Sequence, residues 1–182
     1  MPRNIEIKVR VDDLDALRRR AHALADGPEV PIEQDDTFYP VAQGRLKLRR
    51  FADGTGELIH YERPDAEHAR ASDYVRVPTA TPDDLHQALA RGLGLLGRVR
   101  KQRWLLLAGQ TRIHLDRVAG LGDFAELEVV LREGQTDADG AAIAEALIDR
   151  LGLAEAGRLT GAYLDLQRTL GKADPAHPPG NA

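Results

Sequence analysis

The sequence predicts an α+β fold, in which helices cover one side of a mostly antiparallel sheet of seven or eight strands. Three observations indicate this fold class. Stretches of alternating apolar and polar residues recur along the chain, several of them are joined by short turns as in β-hairpins, and four helical stretches lie between or after them. With 182 residues, the chain fits one domain that can bury a substantial core.

The first strand and the first helix have the clearest patterns. Residues 4–11 alternate strictly between apolar and polar side chains, which predicts a strand with one face of each kind. Asp12 and Asp13 then open a helical stretch that ends at Gly27-Pro28. Because its apolar residues share one face, this helix is expected to pack on the sheet.

The middle of the chain contains further strand patterns, at 35–39, 44–51, 57–63 and, as a short extended segment, 72–77. A turn over Asp53–Gly56 predicts that the second and third of these strands form a hairpin. The polar stretch 64–71 is expected to be a loop. Thr81 and Pro82 then begin a helix, as N-cap and first helical residue, and Gly94 ends it.

The last third of the chain predicts three more strands and two helices. The strands are expected at 97–108, 111–118 and 123–131, and the helices at 137–151 and 159–170. A turn at Ala108–Gln110 makes the first two of these strands a hairpin. Residues 171–182 are rich in Pro, Gly and Ala and are expected to form a disordered C-terminal tail, so the predicted domain covers residues 1–170.

The composition excludes several classes of protein. No cysteine is present, which excludes disulfide frameworks and thiolate metal sites. A formal charge of −4 disfavours a general nucleic-acid binder, since that affinity depends on a basic surface. No apolar run approaches the roughly 20 residues of a membrane helix, and the first strand pattern follows the start without a signal-peptide segment. We therefore expect a cytoplasmic protein that binds neither nucleic acid nor membrane.

The polar faces of the predicted strands carry many charged residues. They are Glu6, Lys8, Arg45, Lys47, Arg49, Lys101, Arg103, Asp116, Glu126 and Glu128. In one interpretation these residues form the solvated face of an antiparallel sheet, with weak cross-strand ion pairs. In the other, the sheet closes on itself, the carboxylates bind divalent metal, and the Arg and Lys side chains bind phosphate oxygens. The pattern alone leaves both open and favours the solvated face.

Six short segments resemble, in the right order, the motifs of the CYTH superfamily, which takes its name from class IV adenylyl cyclases and thiamine triphosphatases. They are Asn4-Ile-Glu6-Ile-Lys8, Arg45-Leu-Lys47-Leu-Arg49-Arg50, Tyr61-Glu62-Arg63-Pro64, Lys101-Gln-Arg103, Ile113-His114-Leu115-Asp116 and Glu126-Leu-Glu128. The resemblance covers residues 3–168. It implies an eight-stranded antiparallel β-barrel, called a triphosphate tunnel, with helices packed outside and a polar interior.

The resemblance also implies roles for individual residues. Divalent metal, as Mg²⁺ or Mn²⁺, would be bound by Glu6, Asp116, Glu126 and Glu128. Phosphate groups would be bound by Lys8, Arg45, Lys47, Arg49, Lys101, Arg103 and Arg112. Charge neutralisation in catalysis would involve Lys8 and Lys47. His114 lies two residues before Asp116 on one strand face, so it is a candidate catalytic acid or base, with tuning or lining of the site as the alternative role.

Three positions depart from the family pattern. Asn4 stands where the signature has its first glutamate, and its amide oxygen adds no negative charge for a metal. Arg63 stands near the position where many members have a lysine, and the segment 72–77 lacks the glutamate often found there. These departures call catalytic turnover into question more than they do phosphate binding.

The resemblance favours a metal-dependent phosphohydrolase that cleaves inorganic triphosphate or a small organic triphosphate. A class IV adenylyl cyclase, which would convert ATP to cyclic AMP and pyrophosphate in the same tunnel, is the alternative within the enzymes. A non-catalytic binder of polyphosphate or nucleotide is the alternative outside them. The oligomeric state, with a homodimer as one option, stays open.

Overall fold

The computed structural model describes residues 4–62 and 73–171. The strands are β1 Asn4–Val11, β2 Val30–Tyr39, β3 Arg45–Arg50, β4 Gly56–Glu62, β5 Asp73–Thr79, β6 Gly97–Ala108, β7 Thr111–Val118 and β8 Gly122–Val130. The helices are α1 Leu14–His22, α2 Pro82–Leu93, α3 Asp137–Arg150 and α4 Tyr163–Thr169. The predicted loop 64–71, Arg63 and nearly all of the predicted tail lie outside the described residues.

The eight strands form one sheet in the order β1-β8-β7-β6-β2-β3-β4-β5. Neighbours such as β1 and β8, β7 and β8, or β3 and β4 run antiparallel. The prediction of an α+β fold with eight antiparallel strands and four helices is confirmed. Within the described ranges, β1 and β5 stand at the two ends of the strand order.

Three element boundaries differ clearly from the sequence prediction. α1 ends at His22, with Ala23 as its C-cap, and not at Gly27-Pro28. β2 begins at Val30 instead of residue 35, and its first residues are mostly exposed. α4 begins at Tyr163 instead of residue 159. The segment before it is extended: Leu159 donates its backbone N–H to the carbonyl of Lys8 at 2.9 Å, and Arg158 forms a bridge with Val9.

The described residues divide into two compact units. The first contains residues 4–32 and 102–161, and the second contains residues 33–62, 73–101 and 162–171.

The core of the first unit lies between the apolar face of its strands and two helices. Its buried residues include Val9, Val11, Leu14, Leu17, Ala21, Ile113, Leu115, Leu127, Leu147 and Ile148. Asp13 caps α1 by accepting a hydrogen bond from the backbone of Ala16 at 2.8 Å, as the sequence predicts for this helix start. Thr136 and Asp139 form a capping box at the start of α3. These caps fix where each helix starts, so that its apolar side faces the strands.

In the second unit, β2, β3, β4 and β5 form consecutive hairpin-like pairs. Leu48 is fully buried, and α2 begins beside the β3–β4 turn. Gly56 permits this close approach, because a Cβ atom there would lie 2.6 Å from the carbonyl oxygen of Arg49 and 2.9 Å from the Cβ of Pro82. The predicted start of α2 at Pro82 is confirmed.

Candidate functional site

The strand register of the first unit places six polar side chains on one face. Between β1 and β8, Glu6 lies opposite Glu128 and Lys8 opposite Glu126. Between β7 and β8, the partners of Glu128 and Glu126 are Arg112 and His114. Because directly opposed residues point to the same side of a sheet, these side chains share one face.

Part of this polar face is buried, although the Arg112 side chain is exposed. Lys8 is 6% exposed, His114 is 8% exposed and Asp116 is fully buried. The opposite face, which carries Ile113 and Leu115, is also buried. A solvated sheet face would leave its charged residues in water, so the burial on both sides favours the interpretation of a polar interior for this unit.

Arg103 joins two of the carboxylates on this face. Its Nε donates to Asp116 Oδ1 at 2.6 Å, and its Nη2 donates to Asp116 Oδ2 at 2.7 Å and to Glu126 Oε2 at 2.8 Å. Lys8 is nearby, with its Nζ 3.7 Å from Glu126 Oε1 and 3.9 Å from Glu6 Oε1. It also donates to the carbonyl of Gly161 at 3.3 Å. Charges buried in this way need such partners, since unpaired ones would cost several kcal/mol.

We call this group the Glu126 cluster; it consists of Glu6, Lys8, Arg103, His114, Asp116 and Glu126. Burial opposes ionisation of Glu126, but the Lys8 ammonium and further partners hold the pKa of this carboxyl well below its usual range. Burial, and then the Arg103 guanidinium, lower the pKa of His114. At neutral pH, Glu126 is therefore ionised and His114 is uncharged.

His114 keeps a ring nitrogen available within the cluster. Its Nδ1 lies 3.8 Å from Glu126 Oε2, which is too long for a hydrogen bond. This nitrogen is buried and has no hydrogen-bond partner among the described residues. A buried, neutral imidazole with an unused nitrogen can accept a proton from a bound molecule.

Asn4, the residue that departs from the family signature, contacts Glu128. Its Nδ2 donates to Glu128 Oε1, and Arg112 Nη1 lies 3.2 Å from each Glu128 oxygen. The other side-chain atom of Asn4, Oδ1, is buried and lacks a hydrogen-bond partner in residues 4–62 and 73–171. A buried oxygen without a donor is a position where a cation can bind.

The donor set of this face fits a hard divalent cation, since Glu6, Glu126, Glu128 and Asn4 offer oxygen atoms only. In the arrangement seen here, no group of three or more Asp, Glu or His side chains among the described residues is placed to hold a metal. The carboxylates contact Lys8, Arg103 and Arg112 instead. Asp116, which the family resemblance makes a metal ligand, gives both oxygens to Arg103.

A second polar cluster lies in the second unit, around Asp36. Asp36 accepts from Lys47 at 2.7 Å and from Arg49 at 2.7 and 2.8 Å. Burial opposes its ionisation, but these two cations hold the pKa of Asp36 well below its usual range. We call these three residues the Asp36 cluster. The structure therefore brings together two of the predicted phosphate-binding residues in this unit.

Sequence reasoning missed Asp36. The alternating pattern of residues 35–39 contains its signal, but Asp35 precedes it with the same charge. A shift of one residue reverses the face of every side chain in a strand, so the sequence could not decide which aspartate faces Lys47 and Arg49. In the structure, Asp35 pairs with Arg98 instead, with Arg98 Nε 2.7 Å from Asp35 Oδ1.

The remaining predicted phosphate-binding residues of the second unit contact α4. Arg45 forms an ion pair with Asp165 at 2.7 Å, and Lys101 Nζ lies 4.9 Å from the centre of the Tyr163 ring. Both side chains are therefore held by residues that the sequence analysis did not assign to the site.

Comparison with known proteins gives a family match over most of the chain. A family model described as the CYTH domain matches residues 2–163. A curated protein named adenylate cyclase CyaB, from Aeromonas hydrophila, is 27% identical in an alignment of length 174, and the match covers 89% of this chain and 87% of that protein. No helix among the described residues is both long enough and apolar enough to cross a bilayer.

Solved structures share the fold. The PH1012 protein of Pyrococcus horikoshii superimposes with a TM-score of 0.79 at 24% identity, over 90% of this chain and 98% of that chain. A Hippeastrum protein named as an adenylyl cyclase, and described as having a dominant triphosphatase activity, superimposes with a TM-score of 0.68 at 15% identity. That match covers 96% of this chain and 98% of the Hippeastrum chain.

Proposed function

Because the chain belongs to the CYTH domain family, we propose that it binds a triphosphate compound and hydrolyses it with the help of Mg²⁺ or Mn²⁺. The observation that carries this proposal is the burial of Lys8 beside the ionised carboxylate of Glu126 on one polar face. Buried ion pairs contribute little net stability to a folded protein, so a role in binding a ligand explains these charges better than a role in folding. In a complex of triphosphate with a divalent metal, the phosphate groups would bind the basic side chains and the metal would bind the carboxylates.

Each member of the Glu126 cluster has a defined part in this proposal. A divalent metal, held by Glu6, Glu126, Glu128 and the amide oxygen of Asn4, would supply Lewis-acid stabilisation of phosphoryl oxygens. Lys8 and Arg103 would leave their carboxylate partners in part and bind phosphate oxygens, which accept the same donors. Asp116 would keep Arg103 in place through its two hydrogen bonds.

His114 is the proposed acceptor of the proton from the attacking water. Its uncharged state at neutral pH and its unused Nδ1 both suit this role. Lys8 is proposed to neutralise charge that develops on the transferring phosphoryl group.

In the second unit, Lys47 and Arg49 are proposed phosphate-binding residues, and Lys47 is also proposed to neutralise charge. Asp36 would fix both side chains before the ligand arrives, which reduces the entropy lost on binding. Arg45, Lys101 and Arg112 are proposed as further phosphate contacts.

The description of the Hippeastrum protein supports hydrolysis as the reaction. The name of the Aeromonas relative supports a second candidate, adenylyl cyclase activity, in which ATP gives cyclic AMP and pyrophosphate. The asparagine at position 4 supports a third, a binder that lacks turnover, since it removes one negative charge from the donor set. We further propose a cytoplasmic location and a small-molecule partner.

One set of incubations separates these candidates. The purified protein is mixed with Mg²⁺ or Mn²⁺ and either inorganic triphosphate or ATP, and thermal stability and products are measured. Release of free phosphate supports the hydrolase, and cyclic AMP with pyrophosphate supports the cyclase. If triphosphate raises the melting temperature but no product forms, the non-catalytic binder is supported. If triphosphate neither raises the melting temperature nor is consumed, all three candidate functions are contradicted.

A matched pair of variants locates the site. Glu126→Gln removes a charge from the cluster, whereas Glu145→Gln removes the same charge from an exposed pair with Arg158. We expect stabilisation by Mn²⁺ plus triphosphate to fall strongly in Glu126→Gln and to stay at the wild-type level in Glu145→Gln. Equal stabilisation of both variants would place the binding elsewhere.

A further inference from the structure

Arg76 lies on the same face of the second unit as the Asp36 cluster. Lys47 on β3 is paired with Ile59 on β4, and Ile59 is paired with Arg76 on β5. Opposed residues share a face, so Lys47 and Arg76 point to the same side of the sheet, two strands apart.

Arg76 is held by an aromatic ring. Its guanidinium carbon lies 5.0 Å from the centre of the Tyr74 ring, and its Nη2 lies 3.5 Å from the Tyr74 hydroxyl. Within residues 4–62 and 73–171, no ion pair joins Arg76 to a carboxylate. In contrast, Lys47 and Arg49 are both paired with Asp36.

The distance between these cations suits a shared anion. Neighbouring strands lie about 4.8 Å apart, so the backbones of Lys47 and Arg76 are separated by roughly 10 Å. Two long side chains on the same face can converge over that span on one phosphate group or on adjacent ones. A guanidinium has five N–H donors, so stacking on Tyr74 and the contact of Nη2 with the Tyr74 hydroxyl leave other N–H groups that can donate to a phosphate.

A simpler explanation is that Arg76 protects an exposed strand. β5 is at one end of the strand order, and Val75 and Val77 are 61% and 53% exposed. Charged residues on edge strands prevent pairing with other chains. However, alternation along the strand puts Arg76 on the face opposite the two valines, which is the face of the Asp36 cluster.

We propose that Arg76 is a further phosphate-binding residue for the triphosphate compound and that Tyr74 positions it. This inference rests on the proposed function, because it concerns the same ligand. It places a cation in the segment 72–77, which lacks the glutamate often found there in the family, so the chain should favour the most highly charged anions.

The test measures binding of inorganic triphosphate to Arg76→Gln and to a matched control. Arg91→Gln removes the same charge from an exposed position on α2 in the same unit. We expect Arg76→Gln to bind triphosphate about tenfold more weakly, as the loss of a charge-assisted contact implies. We expect less than a twofold change in Arg91→Gln, and unchanged melting temperatures of both variants without ligand.

Variants at Tyr74 test the positioning role. Tyr74→Phe retains the ring under the guanidinium and should bind triphosphate as the wild type does, whereas Tyr74→Leu should lose several-fold in affinity. Combining Tyr74→Leu with Arg76→Gln should weaken binding no further than Arg76→Gln alone, because Tyr74 acts through Arg76.

The outcomes distinguish this inference from the proposed function. If the wild type binds no triphosphate, the proposed function fails and the inference fails with it. If the wild type binds and Arg76→Gln binds equally well, only the inference is overturned. Unchanged affinity together with increased self-association of Arg76→Gln would assign the arginine to protection of the strand edge.

Discussion

Arg103 binds Asp116 through two parallel hydrogen bonds, Nε to Oδ1 at 2.6 Å and Nη2 to Oδ2 at 2.7 Å, although Asp116 is fully buried. The two side chains come from neighbouring strands in the sheet order, β6 and β7. This geometry fixes the orientation of the guanidinium, which leaves Nη2 also in contact with Glu126. A cation fixed in this way is ready to bind an anion without further ordering.

The first prediction concerns the stability of this pair. Asp116→Asn takes from Arg103 the buried carboxylate that accepts two of its hydrogen bonds and leaves Glu126 to balance its charge, so we expect the free energy of unfolding to fall by about 3 kcal/mol. Urea denaturation measures the change.

The exposed pair of Arg117 and Asp123 provides the control, since it has the same two-bond geometry at 3.0 Å. Asp123→Asn should cost at most about 1 kcal/mol. Similar losses in the two variants would mean that burial adds nothing to the Arg103–Asp116 pair.

The second prediction concerns the basic side chains. Arg49→Ala and Arg103→Ala should each weaken triphosphate binding tenfold or more, because a charge-assisted contact contributes roughly 1.5–3 kcal/mol. Calorimetric titration measures the affinity. If Arg103→Ala does not fold, Arg103→Lys replaces it in the measurement. This variant keeps the charge but loses the paired hydrogen bonds of the guanidinium.

Arg117→Ala is the matched control, because Arg117 is half-exposed and pairs with Asp123. Its affinity for triphosphate should equal that of the wild type. Unchanged affinity in both Arg49→Ala and Arg103→Ala would show that these side chains do not contact the ligand.

The third prediction concerns Asn4. Asn4→Glu puts a carboxylate beside Glu128, so the variant should melt at a lower temperature than the wild type in the absence of metal. It should gain more from Mn²⁺, since ligand charge increases affinity for divalent ions. A thermal-shift titration with Mn²⁺ alone measures both effects.

Asn4→Gln, which adds length without charge, should respond to Mn²⁺ no more strongly than the wild type. If Asn4→Glu also showed the wild-type response, the amide at this position would not be near a metal.

The fourth prediction concerns pH. The pKa of Asp36 is depressed in the folded protein, so its contribution to stability is fully present above its unfolded value of 3.8 and is lost as the pH falls below that value. The Asp36→Asn variant has no carboxyl at this position, so it lacks this pH-dependent contribution at every pH. The variant should be less stable than the wild type at neutral pH, and the difference should shrink as the pH falls from about 4 to about 3.

Urea unfolding at several pH values measures this difference. A gap between wild type and variant that stayed constant down to about pH 3 would contradict the pairing of Asp36 with Lys47 and Arg49.

Much of the fold could be predicted because strand alternation and helix caps are local signals. Residues 4–11 and the starts of α1 and α2 follow from their own sequence. The start of α4 could not be predicted, because Leu159 is held in an extended segment by a hydrogen bond to Lys8, far away in sequence.

The residues of the polar face could be predicted from the sequence, but whether that face is buried or exposed to solvent could not. Alternating charges look the same on a solvated face and in a polar interior, and only the burial of Lys8 and Asp116 separates the two. The partners of the cations also depend on distant strands. For this reason Asp36 and Arg76 were not assigned, although both lie in predicted strands.

A crystal structure of the protein with Mn²⁺ and a methylene-bridged triphosphate analogue tests the central proposal most directly. We expect anomalous density for Mn²⁺ between the oxygens of Glu6, Glu126 and Glu128, with phosphate oxygens within hydrogen-bond distance of Lys8 and Arg103. Crystals grown with both ligands in which Arg103 and Lys8 keep only their carboxylate partners, with any bound analogue on the outer surface, would contradict it.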